Sequence, residues 1–217
     1  MKTVAFTKSY GGATVLTMPA VELQPGTVTA VIGANGSGKS TLAKVLAGIV
    51  PADKKTRARP DARVGYLPQK SFAFRMSLER NIALNGADAQ RRTHLIEALG
   101  LQALRTRAAK RLSGGETAKM ALARLLMADY DLIILDEPTA AMDMESTLAA
   151  EGLIKEACRE THCAVLLITH SLAQAERCAD RVLFLHKGAL LEQGDAKTVL
   201  TAPQQPETKA FLKFYGA

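Results

Sequence analysis

Eight consecutive residues, Gly33, Ala34, Asn35, Gly36, Ser37, Gly38, Lys39 and Ser40, fit the pattern GxxxxGK[ST], and Thr41 follows them. Glycines at these spacings let backbone amides close on an anion, and a following helix turns its positive end toward the same charge. In that chemistry Lys39 neutralises the β and γ phosphates of a nucleoside triphosphate and Ser40 ligates Mg2+. Two carboxylates, Asp136 and Glu137, follow the apolar run LIIL. At the carboxyl end of a strand the first would organise Mg2+ and the second would orient or deprotonate an attacking water. His170 follows AVLLIT and emerges at a strand end in the same way. On its own it is either a group within reach of the γ phosphate or a structural residue before the helix cap Ser171.

A second candidate anion grip stands far downstream, in RLSGGETAKM. Ser113 and Glu116 match the SxxE capping box, which accounts for both without any function. Gly114 and Gly115 are not explained by it, because each glycine in a first helical turn costs about 1 kcal/mol relative to alanine. Bare amides beside a serine hydroxyl form an anion site. One nucleotide needs only one such loop. Two copies facing head to tail would resolve this, with each nucleotide lying between the loop of one and the Ser-Gly-Gly turn of the other.

These groups need elements to hold them. TVAF and ATVL flank SYGG as a hairpin, and TVTAVIG is a buried strand ending at Gly33. A helix is predicted from Lys39 to about Ile49, then a proline-punctuated, solvated basic loop, then the strand RVGYLP. Over 77–111 the periodicity is helical, with Leu95, Ile96, Leu99 and Leu104 on one face and Arg91, Arg92, Arg105 and Arg107 outward; this is read as an inserted helical subdomain. Beyond it come a helix from about Gly115, the strand DLIILD, a helix after Met144, the strand CAVLLIT, a helix after Ser171 and the hairpin RVLFLHKGALLEQG. Such alternation implies a mainly parallel sheet covered by helices, in one domain.

The 217 residues, 47% apolar, suffice for a substantial core. A net charge of +7 is compatible with nucleic acid or an anionic membrane face, and equally with an ordinary solvated surface. Cys158, Cys163 and Cys178 form no CxxC pair, which suits buried thiols in a reducing cytosol better than disulfides or a zinc site. The first residues lack the long apolar core of a signal peptide, and the longest apolar runs are too short to cross a bilayer, so a membrane role would come through a partner.

Taken in order along the chain, these motifs resemble the ATP-binding cassette family. The resemblance covers almost the whole length and implies an α/β P-loop NTPase fold: a mainly parallel sheet core, an N-terminal antiparallel β subdomain and an inserted α-helical subdomain at about 70–115, within one cassette domain spanning 1–217. It implies that Tyr10 stacks on adenine, where the residues alone equally allow an ordinary turn aromatic. It gives Gln69 in YLPQ the part of Mg2+ and water sensor, and makes Ser113, Gly114 and Gly115 the signature that contacts ATP in trans. His170 gains a catalytic role beside Glu137, and Asp143 in AAMD is similar to the aspartate at the dimer interface, with Ala140 standing where serine is common. Glu116 replaces the commoner glutamine of the signature and still serves the capping box, so activity is expected to survive.

The implied function is ATP hydrolysis, with ATP and Mg2+ as cofactors, in a cytoplasmic subunit peripheral on the inner face of the membrane. Its implied partners are a second copy or a homologous cassette, integral membrane transporter subunits and an extracytoplasmic solute-binding protein, with no nucleic acid. The compact insertion resembles small importer cassettes, for a small solute such as the oxyanion tungstate. Residues 71–77, SFAFRMS, lie where such cassettes dock on membrane subunits; Phe72 and Phe74 are either exposed there or buried in the subdomain core. The alternative is a soluble cassette ATPase acting on ribosomes or DNA. A single phosphate loop and the lack of a long heptad insertion stand against it. A P-loop kinase would leave the glycine pair without a reason.

Overall fold

A computed structural model describes residues 1–215, leaving aside the Lys55 side chain. Eight strands make one mixed sheet in the order β1-β2-β8-β7-β3-β6-β5-β4. They are β1 (Phe6–Tyr10), β2 (Ala13–Met18), β3 (Val28–Ile32), β4 (Val64–Leu67), β5 (Leu132–Asp136), β6 (Ala164–Ile168), β7 (Arg181–His186) and β8 (Ala189–Asp195). The run β7-β3-β6-β5-β4 is parallel throughout. β8 turns back antiparallel on β7, and β1 pairs antiparallel with β2. The two antiparallel ribbons join through one parallel residue pair, Thr17 with Ala189. The fold is thus the mixed α/β architecture expected, with the N-terminal antiparallel strands continuous with the parallel core.

β3, β5 and β6 are buried at every position, as strands covered on both faces must be. The helices are α1 (Lys39–Leu46), α2 (Leu78–Ile82), α3 (Ala89–Ala98), α4 (Gly114–Leu126), α5 (Met144–Thr161), α6 (Leu172–Cys178), α7 (Ala196–Thr201) and α8 (Pro206–Tyr215). One face of the sheet packs against α4, α5 and the segment 77–111, where Leu78, Ile82, Leu95, Ile96 and Leu99 share a continuous core with Ile133, Leu135 and Leu167. α1 and the β1-β2 hairpin fill another region around Leu16, Leu42, Leu46 and Ile134. α6, α7 and α8 cover Ile32 and Phe184 through Ala175, Val199 and Phe211.

Several expectations need correction. The first strand begins at Phe6 rather than at Thr3, because Thr3 is committed elsewhere: its amide donates to Val21 O and its hydroxyl accepts from the Val21 amide. Tyr10 therefore ends a strand, and Gly11 and Gly12 alone make the turn. The segment 77–111 is not continuous helix but short pieces, restarted at the Asp88 cap and interrupted at Gly100, whose φ is +63°. The four arginines expected to face outward each meet an acid. Arg91 meets Asp129 at 2.7 Å, Arg92 and Arg105 both meet Glu79 at 3.3 and 2.8 Å, and Arg107 lies 3.8 Å from Glu116. α7 and α8 were not anticipated. The three cysteines are free and buried, as expected.

Candidate nucleotide-binding and catalytic site

Parallel pairing sets the site. Val31 and Asp136 are both in register with Ile168, and Leu67 pairs with Leu135, so β3, β4, β5 and β6 end at one edge of the sheet. The segments leaving these strands meet there: the glycine loop after β3, Gln69 after β4, Glu137 after β5 and His170 after β6. This is the edge at which open parallel sheets take ligands.

The loop wraps the start of α1. A Cβ on Gly33 would stand 2.2 Å from Leu185 O, and Gly38, the α1 N-cap, holds φ +102°, so side chains are excluded at both places. Ser77, Asp88, Ser113, Asp143, Ser171 and Asp195 cap α2 to α7 with side-chain oxygens. α1 has no side-chain cap. Its first-turn amides are left for an external anion, and the buried Ser37 hydroxyl beside them has no hydrogen-bond partner among the described residues. Lys39 arches back over the loop, its Nζ donating to Gly33 O at 2.7 Å and Ala34 O at 3.0 Å.

Ser40 Oγ donates to Asp136 Oδ1 at 3.1 Å. Burial raises the Asp136 pKa, with the Ser40 hydrogen bond opposing, and burial lowers that of Lys39 against the pull of Glu137 and Asp136. Both groups are pushed toward their neutral forms, so a bound phosphate and a cation would each supply the opposite charge that a buried ion lacks. A hydroxyl and a carboxylate side by side fit a hard cation such as Mg2+. No group of three or more His, Cys, Asp or Glu side chains suited to a metal occurs among the described residues, so such an ion would complete its shell with phosphate oxygens and water, as Mg2+ commonly does.

Glu137 sits in the left-handed region, φ +51°, with its amide donating to Ile168 O at 2.9 Å. Its Oε2 accepts from Gln69 Nε2 at 2.8 Å, and its Oε1 lies 3.4 Å from His170 Nδ1. The chain thus brings Gln69, Glu137 and His170 together. Gln69, expected to sense Mg2+ and water, donates here to the Glu137 carboxylate. An open cleft of about 520 Å³ runs from Lys39, Ser40, Thr41, Gln69 and Glu137, past Asn35 and Gly36, to Tyr10. Tyr10 is half exposed at its mouth, with Lys8 Nζ 5.0 Å from the ring centroid.

Ser113, Gly114 and Gly115 do not line that cleft. Their helix end is closed by its own chain: the Glu116 amide donates to Ser113 Oγ at 3.2 Å, and the Ser113 amide to Glu116 Oε2 at 2.6 Å. Gly115 has a local reason, since a Cβ there would stand 2.7 Å from Ala141 O; Gly114 has none, with nothing within 4 Å. Asp143 caps α5, accepting from the Ser146 amide at 2.8 Å. Phe72 and Phe74 are on the surface, 54% and 44% exposed, with the Arg124 guanidinium 4.9 and 5.3 Å from their rings. Sequence reasoning passed over Thr139, Glu151, Gln174 and Arg177, which form a linked polar group behind Glu137. The signal was an acid, Glu151, in the apolar register of Ala150, Leu153 and Ile154.

Residues 16–140 match the ABC transporter family. The chain is 36% identical over 200 residues to the tungstate uptake system ATP-binding protein of Peptoclostridium acidaminophilum, covering 85% of this chain and 94% of that one. It is 38% identical over 187 residues to a zinc import ATP-binding protein of Alcanivorax borkumensis, covering 82% and 72%. Among solved structures, an ATP binding subunit of an ABC transporter superposes with a TM-score of 0.83 at 22% identity, covering 98% of both chains, which bears on the fold alone. An archaeal ribosome recycling factor, solved in complex with a ribosomal stalk protein, superposes with a TM-score of 0.82 at 25% identity, covering 96% of this chain and 44% of its own. No helix among the described residues is long and apolar enough to cross a membrane. The phosphate cradle and carboxylate pair stand in the matched segment of a chain that belongs to the ABC transporter family, as an ATP-binding, ATP-hydrolysing member.

Proposed function

We propose that this chain is the ATPase subunit of an importer, a single cassette domain with its helical insertion at about 70–115, working in pairs beneath separate membrane subunits. The observation that carries the reading is the meeting of Lys39, the Ser40–Asp136 pair and the Gln69–Glu137–His170 cluster at one sheet edge. In this reading the amides of 34–41 and Lys39 hold the β and γ phosphates, and Tyr10 stacks on the base. Ser40 and Asp136, with Gln69 close by, would hold Mg2+, which would supply charge screening on the phosphates. Glu137 takes a proton from the water that attacks the γ phosphorus, His170 orients that carboxylate and the transferred group, and ADP and phosphate leave.

Ser113 and Gly114 of a second copy supply the far wall of the nucleotide site, and Asp143 lies at the joint between copies. ATP joins the two and hydrolysis releases them. Phe72 and Phe74 face the membrane subunit, and the protein works on the cytoplasmic face of the membrane. An extracytoplasmic binding protein would deliver the solute, and no nucleic acid is involved. The name of the tungstate-system relative supports an oxyanion such as tungstate, and that of the zinc-import relative supports a metal cation. Uptake of tungstate and of zinc by cells lacking this chain decides between them: loss of tungstate uptake alone supports the oxyanion, and loss of zinc uptake alone rejects it. The likeness to a ribosome recycling factor supports a second reading, a soluble ATPase on ribosomes. Recovery of the chain with integral membrane proteins supports import, whereas salt-sensitive recovery with ribosomes supports the second.

A further inference from the structure

Behind Glu137 lies a buried polar chain. Glu151 on α5 is 3% exposed, and Gln174 on α6 is 2% exposed. Arg177 grips Glu151 with two bonds, Nε to Oε2 at 2.8 Å and Nη2 to Oε1 at 2.7 Å. Gln174 Nε2 spends both its hydrogens, one on Glu151 Oε1 at 3.2 Å and one on Thr139 Oγ1 at 2.9 Å. Burial acts to raise the Glu151 pKa, and the Arg177 and Gln174 hydrogen bonds outweigh it, leaving the carboxyl below its usual range. The charge is therefore present and satisfied, as a buried carboxylate must be.

Thr139 is two residues beyond Glu137, inside a tight turn where the Ala140 amide donates to Glu137 O at 3.3 Å and the Met142 amide to Thr139 O at 3.0 Å. At the other end of the network, α6 begins directly after His170 and Ser171. We propose that Gln174, held by Glu151 and Arg177, is a positioning residue for Glu137: by gripping Thr139 it fixes the turn that bears the carboxylate against the helix that follows His170. It acts through Thr139 rather than on the reacting atoms. Its contribution is to hold Glu137 and His170 in one geometry while the site opens and closes, since small misplacements of a base cost large factors in rate. Only an amide serves at 174, because a carboxylate there would face Glu151 and could not donate to Thr139.

This rests on the catalytic assignment of Glu137. The test is steady-state ATP hydrolysis by the full chain and its Thr139→Val, Thr139→Ser, Gln174→Ala and Thr139→Val/Gln174→Ala variants. Thr139→Val and Gln174→Ala should each lower kcat about tenfold with KM for ATP unchanged within about twofold. Thr139→Ser should return to near the parent rate, and the double variant should lose no more than either single one, because both cut the same link. An unchanged kcat in either single variant, a KM that rises in step with the loss, or a Thr139→Ser as slow as Thr139→Val overturns the proposal. Glu137→Gln separates the levels. If it is inert while Thr139→Val runs at full rate, this inference alone fails; if it hydrolyses ATP at the parent rate, the assignment of Glu137 fails and takes the inference with it.

Discussion

Two helix starts in this molecule are built from the same small residues and finished in opposite ways. α1 opens on Gly38, carries no side-chain cap and lies under a lysine. α4 opens on Ser113, and Ser113 and Glu116 cap one another. The first is a socket whose amides await an anion. The second is already satisfied for stability, yet it keeps at Gly114 a bare backbone that nothing in its own chain approaches. Serine and glycine before a helix are therefore not one signal. What distinguishes a ligand grip from a cap is whether the chain's own side chains consume the amides. On the proposed reading the α4 end adds a weaker, second-hand contact to a nucleotide held elsewhere, and substitutions at the two starts should separate accordingly.

The largest effect tests whether the second grip is met at all. Glu137→Gln should cut turnover by about a hundredfold or more while leaving ATP binding intact. With saturating ATP its mass by light scattering should double; an ATP-loaded variant that stays monomeric, also in company with the membrane subunits, breaks the pairing of the two helix starts. Next, Lys39→Ala should weaken ATP binding about ten- to a hundredfold, from the loss of a charged hydrogen-bond donor, as measured by titration calorimetry. Normal affinity would demote the α1 socket.

The glycine pair sharpens the comparison further. Gly115→Ala sets a methyl 2.7 Å from Ala141 O and should destabilise the fold by about 1–3 kcal/mol in urea unfolding. Gly114→Ala meets nothing and should leave stability equal or about 0.5–1 kcal/mol higher, while weakening ATP-driven pairing of copies. If the Gly114 variant pairs normally, its bare backbone has no partner.

The smallest effect belongs to the cap. Glu116→Ala should cost about 0.5–1 kcal/mol at neutral pH. The Glu116 carboxyl is held below the usual range, chiefly by the Ser113 amide hydrogen bond. A depressed folded pKa gives stability that is present above the unfolded value and lost as pH falls through the folded one. The difference in thermal midpoint between parent and variant should therefore narrow once pH drops below about 4.3, the ordinary glutamate value.

Much of this was legible in the residues. The apolar runs before Gly33, Asp136 and His170 mark buried parallel strands, and a parallel strand delivers the residues after it to the common edge. That is why Lys39, Asp136, Glu137 and His170 could be placed together without coordinates. Gln69 was placed there only through the family resemblance. Where side chains choose partners across the chain, the sequence was silent. Nothing near Thr3 announces Val21, and nothing near Arg92 and Arg105 announces that one acid, Glu79, serves both. The Glu151 network lay hidden for the same reason: its four members come from three separate segments, and only Gln174 and Arg177, three apart on α6, share a spacing. α7 and α8 escaped because their few apolar anchors, Val199 and Phe211, make short helices without a long periodic run.

The strand that carries the phosphate loop also has a consequence for how the protein is made. The Val28 amide donates to Asp180, 152 residues further on, and both neighbours of β3 are strands encoded well downstream of it. A chain emerging from the ribosome exposes its glycine loop early but has no flanking strands to dock it against until β6 and β7 arrive. Nucleotide capture is therefore expected to await synthesis through β7, and termination before it would release a fragment with raw strand edges, prone to clump and suited to swift proteolytic removal.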